Sequence, residues 1–230
     1  MNPVDLLIGA AVALVCGLDR TAILQLMISR PIVAAPLVAW LLGEPMVGLQ
    51  IGLLVELLWL ARLPVGAAIP PDDTQVAIAS SVLAIDLGQA LDSPGIELLL
   101  ICLLVALPLG KVGQLFDHLT RQWNVRLLGN AERYIENGNL LHAEFQHFRG
   151  IFHFSLAALG TYSVVVVGGF LLVPILWPLV QQTLQHSGNW LQLALPLVGV
   201  AVILGTINVS RALTLFCASF GMAFLLMWLV

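Results

Sequence analysis

The sequence predicts an all-α polytopic membrane protein with discontinuous or re-entrant helices, and three observations carry that reading. Of the 230 residues, 60% are hydrophobic and 10% charged, with mean hydropathy +0.99. A soluble domain carries about 25% charged residues, so this chain lacks the polar surface to cover a water-soluble globule. Apolar runs recur along the whole chain, but several are shorter than the roughly 20 residues a spanning helix needs, and Gly or Pro interrupts them. Finally, nine of the charges crowd between Lys111 and Arg149. Short, interrupted apolar segments of this kind mark discontinuous helices around a transport site.

The chain reads as one permease domain, residues 1–230. Residues 1–110 and 150–230 are expected in the membrane, and residues 111–149 form an amphipathic segment at its cytoplasmic side. Five of the nine basic residues lie in that segment, which places it inside by the positive-inside rule. No basic patch points to nucleic acid. Cys16, Cys102 and Cys217 stand singly, without a CxxC or Cys/His cluster, so neither a disulfide framework nor a metal site is expected. No cofactor is implied. The N-terminal MNPVDLL lacks the positive region of a signal peptide, so the first apolar run is expected to be retained.

In order, residues 4–18 form a first apolar helix that Gly17 and Asp19-Arg20 end. Residues 21–29 continue as helix, and spacing by four puts Thr21, Gln25 and Ser29 on one face. Arg30-Pro31 breaks the helix, because a residue before proline avoids αR. Residues 32–42 are its second half. Residues 45–61 follow, with Pro45 in the first turn and Gly48, Gly52 and Glu56 every four residues, a small-residue groove leading to a carboxylate.

Pro64, Gly66, Pro70 and Pro71 exclude regular helix over residues 63–71. Asp72 or Asp73 can cap the helix starting near Thr74, and the residues alone do not choose between them. That helix runs to about residue 87 and is too short and polar to cross alone. Residues 96–109 are apolar. Residues 114–147 read as amphipathic helices interrupted at Asn137-Gly138-Asn139. Residues 151–180 form a long helix kinked at Gly168-Gly169, Pro174 and Pro178, and Asn189-Trp190 opens another. Asn208, Ser210 and Arg211 interrupt the last apolar stretch. Together with Asp19-Arg20, that break allows two inverted halves.

The candidate site is built from carboxylates at membrane depth, where a charged group is costly and marks function by default. Glu56 sits mid-helix among apolar neighbours; its bland alternative is a carboxyl tied to backbone or to Arg62. A carboxylate offers about four lone-pair sites to hydroxyl hydrogens, which suits a sugar. Asp72 and Asp73, one of them a candidate ligand and the other a cap, follow the Pro-rich break, where non-helical backbone survives only if protein buries it or it lines a wet cavity. Gln25 both donates and accepts. Trp59 offers an aromatic face to a sugar ring or to lipid. His118, His142, His147 and His153 fall in or beside the amphipathic segment, without a visible phosphate cradle.

The run ISRPIVAAPLVAWLLGEPMVGLQIGLLVELLWL followed by PVGAAIPPD, with ENGNL further on, resembles the IIC permease subunit of the mannose/sorbose family of the bacterial sugar phosphotransferase system (PTS). The resemblance is dense from Arg20 to Ser81. It implies a subunit of the bacterial inner membrane that pairs with a IID membrane subunit in an oligomeric complex. A cytoplasmic IIB subunit, charged by IIA, phosphorylates the sugar as it arrives, so this chain is not an enzyme by itself. The family's sugar contacts fall here on Gln25, Glu56 and Asp72, which makes Asp72 the expected ligand and leaves Asp73 as the expected helix cap. The chain departs from the family at Trp59-Leu60-Ala61-Arg62, where glycine is common, and in having the additional Asp73. On the residues alone two other classes stay open: an ion-coupled transporter with Glu56 and Asp72 as proton carriers, and a regulatory PTS membrane component that moves no sugar.

Overall fold

The computed structural model describes residues 2–60, 69–91, 95–206 and 212–229, and among them every regular element is an α-helix. Helix α1 spans Pro3–Thr21, with the Asn2 side chain accepting from the Val4 N–H at 3.1 Å as its cap. Helices α2 (Pro31–Leu41) and α3 (Pro45–Trp59) form a tight hairpin. Gly43, at φ +87°, makes the turn between them without a Cβ penalty. The two helices have 11 and 15 residues, or about 17 and 23 Å at 1.5 Å per residue. Neither crosses a hydrocarbon core of roughly 30 Å alone, so the hairpin is the re-entrant element that the interrupted pattern predicts.

Glycine spacing closes this hairpin. A Cβ on Gly48 would run into the Ala35 carbonyl and one on Gly52 into the Pro31 carbonyl. The small-residue groove is therefore filled by the α2 backbone, in the manner of small-residue helix contacts in membranes.

Helix α4 (Asp73–Ala90) is the centre of the fold: residues 74–88 are all buried, Gln75, Ser80, Ser81 and Asp86 included. Part of its polarity is absorbed internally, while Gln75 Oε1 and Asp86 Oδ2 are buried without a hydrogen-bond partner among the described residues. Ser80 and Ser81 donate to the Val76 and Ala77 carbonyls, and the Gln75 amide donates across to Ala13 O of α1 at 2.9 Å. Helix α5 (Ile96–Leu109) covers it, with Leu98, Leu99, Leu103 and Ala106 buried.

Helix α6 (Val112–Glu136) then turns at Asn137 and Gly138 (φ +74°) into α7 (Leu140–Thr206). Helix α8 (Ala212–Leu229) ends the described chain. The expected interruption at Asn137-Gly138-Asn139 is present. Val167, Leu171, Ile175 and Leu179 make an exposed apolar stripe along α7 at intervals of four, as a lipid-facing side requires. Two helical stretches among the described residues, Ile96–Glu136 and Leu140–Leu184, are long and apolar enough to cross a membrane.

Two expectations are corrected here. Residues 22–30 are not helical, and Leu24, Gln25 and Met27 have φ of 57°, 53° and 64°. The cause is Asp19, whose carboxylate accepts from the N–H groups of Leu26 (2.6 Å) and Ser29 (3.0 Å) and pulls the chain back after α1. Asn189-Trp190 does not open a new helix, because α7 runs through it for 67 residues. An apolar surrounding supplies no other partner for backbone groups, so a lone polar pair does not end a helix there. Arg62, Pro64, Gly66, Asn208, Ser210 and Arg211, and the inverted halves built on them, lie outside the described residues.

Candidate functional site

Two helix N-termini converge on one cavity. Helix α2 starts at Pro31, after Arg30 in extended backbone (ψ 135°), as the Arg-Pro pair dictates. Helix α4 starts at Asp73, after the non-helical residues 69–72. The Thr74 hydroxyl on α4 donates to Ser29 O at 2.7 Å and fastens the two starts together. Each start carries a carboxylate and an arginine.

At α2, Glu56 reaches over from α3. Its Oε1 takes Arg30 Nη2 at 2.9 Å, and its Oε2 takes the Ile32 N–H at 3.4 Å. This reach depends on Gly48 and Gly52, which let α3 lie against the α2 backbone. At α4, Asp72 is the cap, accepting from the Gln75 N–H at 3.1 Å. The cap is therefore Asp72 and not the expected Asp73, and Asp72 lines the cavity as well. The reason is the Asp72 backbone: its N–H is tied to Gly110 O at 3.3 Å, which holds it one residue outside the helix. Arg20 Nη1 bonds Asp72 at 2.5 Å and Asp73 at 3.0 Å, and its Nη2 reaches Pro71 O at 3.4 Å. One guanidinium thus serves two adjacent carboxylates.

The cavity has a volume of about 830 Å³, inside the range of small-molecule sites. Glu56, Asp72 and Asp73 lie on its wall with Arg20 and Arg30, and Trp59 lines it too. Thr161 and Ala158 of α7 close one side. A further side is α6, through Gly113, Asp117, His118 and Arg121. Gly113 lies against the Asp72 side chain with no room for a Cβ, and the Gln114 amide donates to Ile69 O at 2.5 Å. Helix α6 is thereby fixed beside the start of α4.

Of the three residues expected to contact sugar, Glu56 and Asp72 share this cavity. Gln25 does not line it: it is exposed on the residue 22–30 loop, off any common helix face with Thr21 and Ser29. The arginine on Glu56 is Arg30. Reasoning from the sequence read Arg20 and Arg30 only as helix breaks, and Asp117, His118 and Arg121 only as surface of an amphipathic helix. Gly113, Asp117 and Arg121 do recur every four residues, the same signal that singled out Gly48, Gly52 and Glu56. Among the described residues no cluster of His, Cys, Asp or Glu has metal-ligand geometry.

A family model described as "PTS system sorbose-specific IIC component" matches residues 4–229. The chain belongs to this family. Similar to this IIC chain is the mannose-specific EIIC component of the PTS of Escherichia coli K12, 32% identical over 123 residues. That alignment covers 54% of this chain and 43% of the E. coli protein, so the match spans less than half of that relative. The fructose permease IIC component of Bacillus subtilis 168 is 27% identical over 201 residues, 84% of this chain and 69% of the relative. A solved structure titled "Structure of membrane protein" superposes with TM-score 0.68 at 23% identity, covering 97% of this IIC chain and 87% of the other. A cryo-EM structure of the mannose transporter ManYZ with microcin E492 gives TM-score 0.58 at 23% identity, with the same coverage. These two likenesses establish the fold: an all-helical membrane-transporter architecture, as the interrupted apolar pattern predicts.

Proposed function

We propose that this IIC chain is the sugar-translocating membrane subunit of a mannose/sorbose-type PTS, multi-pass in the bacterial inner membrane. The observation that carries the reading is that Glu56 and Asp72, from different helices, face one cavity with an arginine on each. Glu56 has one partner on each oxygen and so keeps a lone pair on both, and Asp72 takes Arg20 and the Gln75 N–H on Oδ1 and keeps Oδ2 for a hydroxyl; sugar hydroxyls are donors that take such lone pairs. The Arg30 guanidinium supplies donors for sugar oxygens at the same rim. Gln25 is the third proposed sugar contact, offered from the loop beside the cavity.

In this reading a IID membrane subunit completes the sugar site, and a cytoplasmic IIB subunit, charged by IIA from phosphoenolpyruvate, phosphorylates the sugar. The chain itself carries no phosphorylated residue. Residues 111–149 face the cytoplasm and offer the docking side. The relatives named for mannose, fructose and sorbose support a hexose as the cargo.

The test is binding of labelled mannose, fructose and sorbose to the full chain purified with its membrane partner in lipid nanodiscs. Glu56→Gln and Asp72→Asn each lower the affinity for the preferred sugar about tenfold to a hundredfold, the worth of a charge-assisted hydrogen bond. Asparagine still caps α4, so Asp72→Asn keeps the fold. Wild-type affinity in both variants overturns the assignment.

A further inference from the structure

We infer that the α6 wall of the cavity is a phosphate subsite, formed by Arg121 and His118, that holds the phosphate of a phosphorylated hexose beside the carboxylates that hold its hydroxyls. The inference rests on the proposed function and adds a ligand group that the carboxylate wall cannot take. Glu56, Asp72 and Asp73 repel an anion. Arg121 and His118 line the same cavity on another helix.

The geometry of both side chains favours an oxyanion. Arg121 gives only its Nε–H to Asp117, at 2.8 Å to Oδ2. Asp117 lies one helical turn before it and orients the guanidinium. Both Nη groups of Arg121 make no hydrogen bond among the described residues, and a guanidinium with two free Nη groups chelates a phosphate bidentately. Arg20 differs: its two Nη groups are both spent on Asp72, Asp73 and Pro71 O. His118 Nε2 is 2.9 Å from the Gln122 amide nitrogen. This contact ties His118 to the next turn of α6, and its other ring nitrogen, Nδ1, makes no hydrogen bond among the described residues. One residue after Asp117, His118 thus sets an imidazole nitrogen beside the Arg121 fork. Asp117 is offset by its ion-pair partner Arg121, so the α6 wall carries no net negative charge.

A cavity with hydroxyl acceptors on one wall and the unspent Nη donors of Arg121 on another fits a molecule with hydroxyls at one end and a dianion at the other. A hexose 6-phosphate has that form. The subsite receives the phosphate where α6 meets the cavity, beside the proposed cytoplasmic face, and so favours exit of the product to that side.

The experiment titrates the full chain, with its membrane partner in nanodiscs, with mannose, mannose 6-phosphate and inorganic phosphate. Wild type binds all three, and inorganic phosphate competes with mannose 6-phosphate. In Arg121→Gln and in His118→Gln the ratio of affinities for mannose 6-phosphate over mannose falls about tenfold, and Arg121→Lys restores part of it. An unchanged ratio in both Gln variants overturns the subsite. Wild type that binds mannose but neither phosphate overturns the subsite and leaves the sugar site standing. Binding of phosphate without mannose, lost in Arg121→Gln, keeps the subsite and overturns the sugar site. Binding of none of the three overturns both.

Discussion

Arg30 Nη2 lies 2.9 Å from Glu56 Oε1, and this contact joins the residue just before α2 to the last turn of α3. The glutamate side chain is 13% exposed and the arginine 53%. The pair therefore sits at the cavity rim, where water screens it and its net contribution to stability is about 0–1 kcal/mol. Its role is to aim the carboxylate. Arg30→Gln is expected to change the unfolding temperature by little while weakening sugar binding severalfold. Thermal unfolding and sugar titration of the same preparation separate the two effects; a large loss of stability with normal binding contradicts this account.

Arg20 is the opposite case. It neutralises two neighbouring carboxylates, Asp72 and Asp73, with all three side chains three-quarters buried or more. Arg20→Gln leaves both charges uncompensated and costs about 2–4 kcal/mol. Adding Asp73→Asn removes one of the stranded charges and restores about half of that loss. Chemical unfolding of the single and double variants measures the coupling, and strict additivity contradicts the shared guanidinium.

The hairpin makes a sharper steric prediction. Gly52→Val drives a branched side chain into the Pro31 carbonyl. It lifts α3 from α2, costing about 1–3 kcal/mol and moving Glu56 away from Arg30. Gly205→Ala meets open space and serves as the control. Thermal unfolding of the two variants ranks them, with Gly52→Val well below Gly205→Ala; equal midpoints contradict the close approach.

Much of this was legible in the sequence because membrane burial makes polarity expensive. Glu56 and Asp72 stood out as carboxylates in apolar surroundings, and the Gly48–Gly52–Glu56 spacing identified the face that α3 presents. The Arg-Pro and Pro-rich breaks located both helix starts. The residue 22–30 loop was not legible, since its path is set by the Asp19 carboxylate taking two backbone N–H groups, a tertiary contact that overrides a helical period. The choice between Asp72 and Asp73 as cap was decided by a bond to Gly110, 38 positions on. Asp117, His118 and Arg121 looked like ordinary surface because α6 is amphipathic for most of its length; only the packing of Gly113 against Asp72 turns that end of it toward the cavity.

Asp19 yields a test of the loop. Asp19→Ala removes the acceptor for the Leu26 and Ser29 N–H groups, and losing these two hydrogen bonds to a charged group costs about 1–3 kcal/mol. The loop, with three left-handed residues to hold, is the segment that gives way. Limited proteolysis is expected to cut within residues 22–30 in Asp19→Ala and not in wild type. Equal resistance contradicts the pinning role.

The central claim is that Glu56 and Asp72 hold a sugar whose entry is coupled to phosphorylation. The most direct measurement is uptake of labelled mannose, fructose or sorbose by cells carrying the chain with its IID, IIB and IIA partners, scored as sugar phosphate formed. The account predicts accumulation that requires the phosphoryl-donor proteins, survives collapse of the proton gradient, and falls at least about tenfold in Glu56→Gln and in Asp72→Asn. Uptake that persists without the donor proteins and vanishes with the gradient, or that ignores both substitutions, contradicts it.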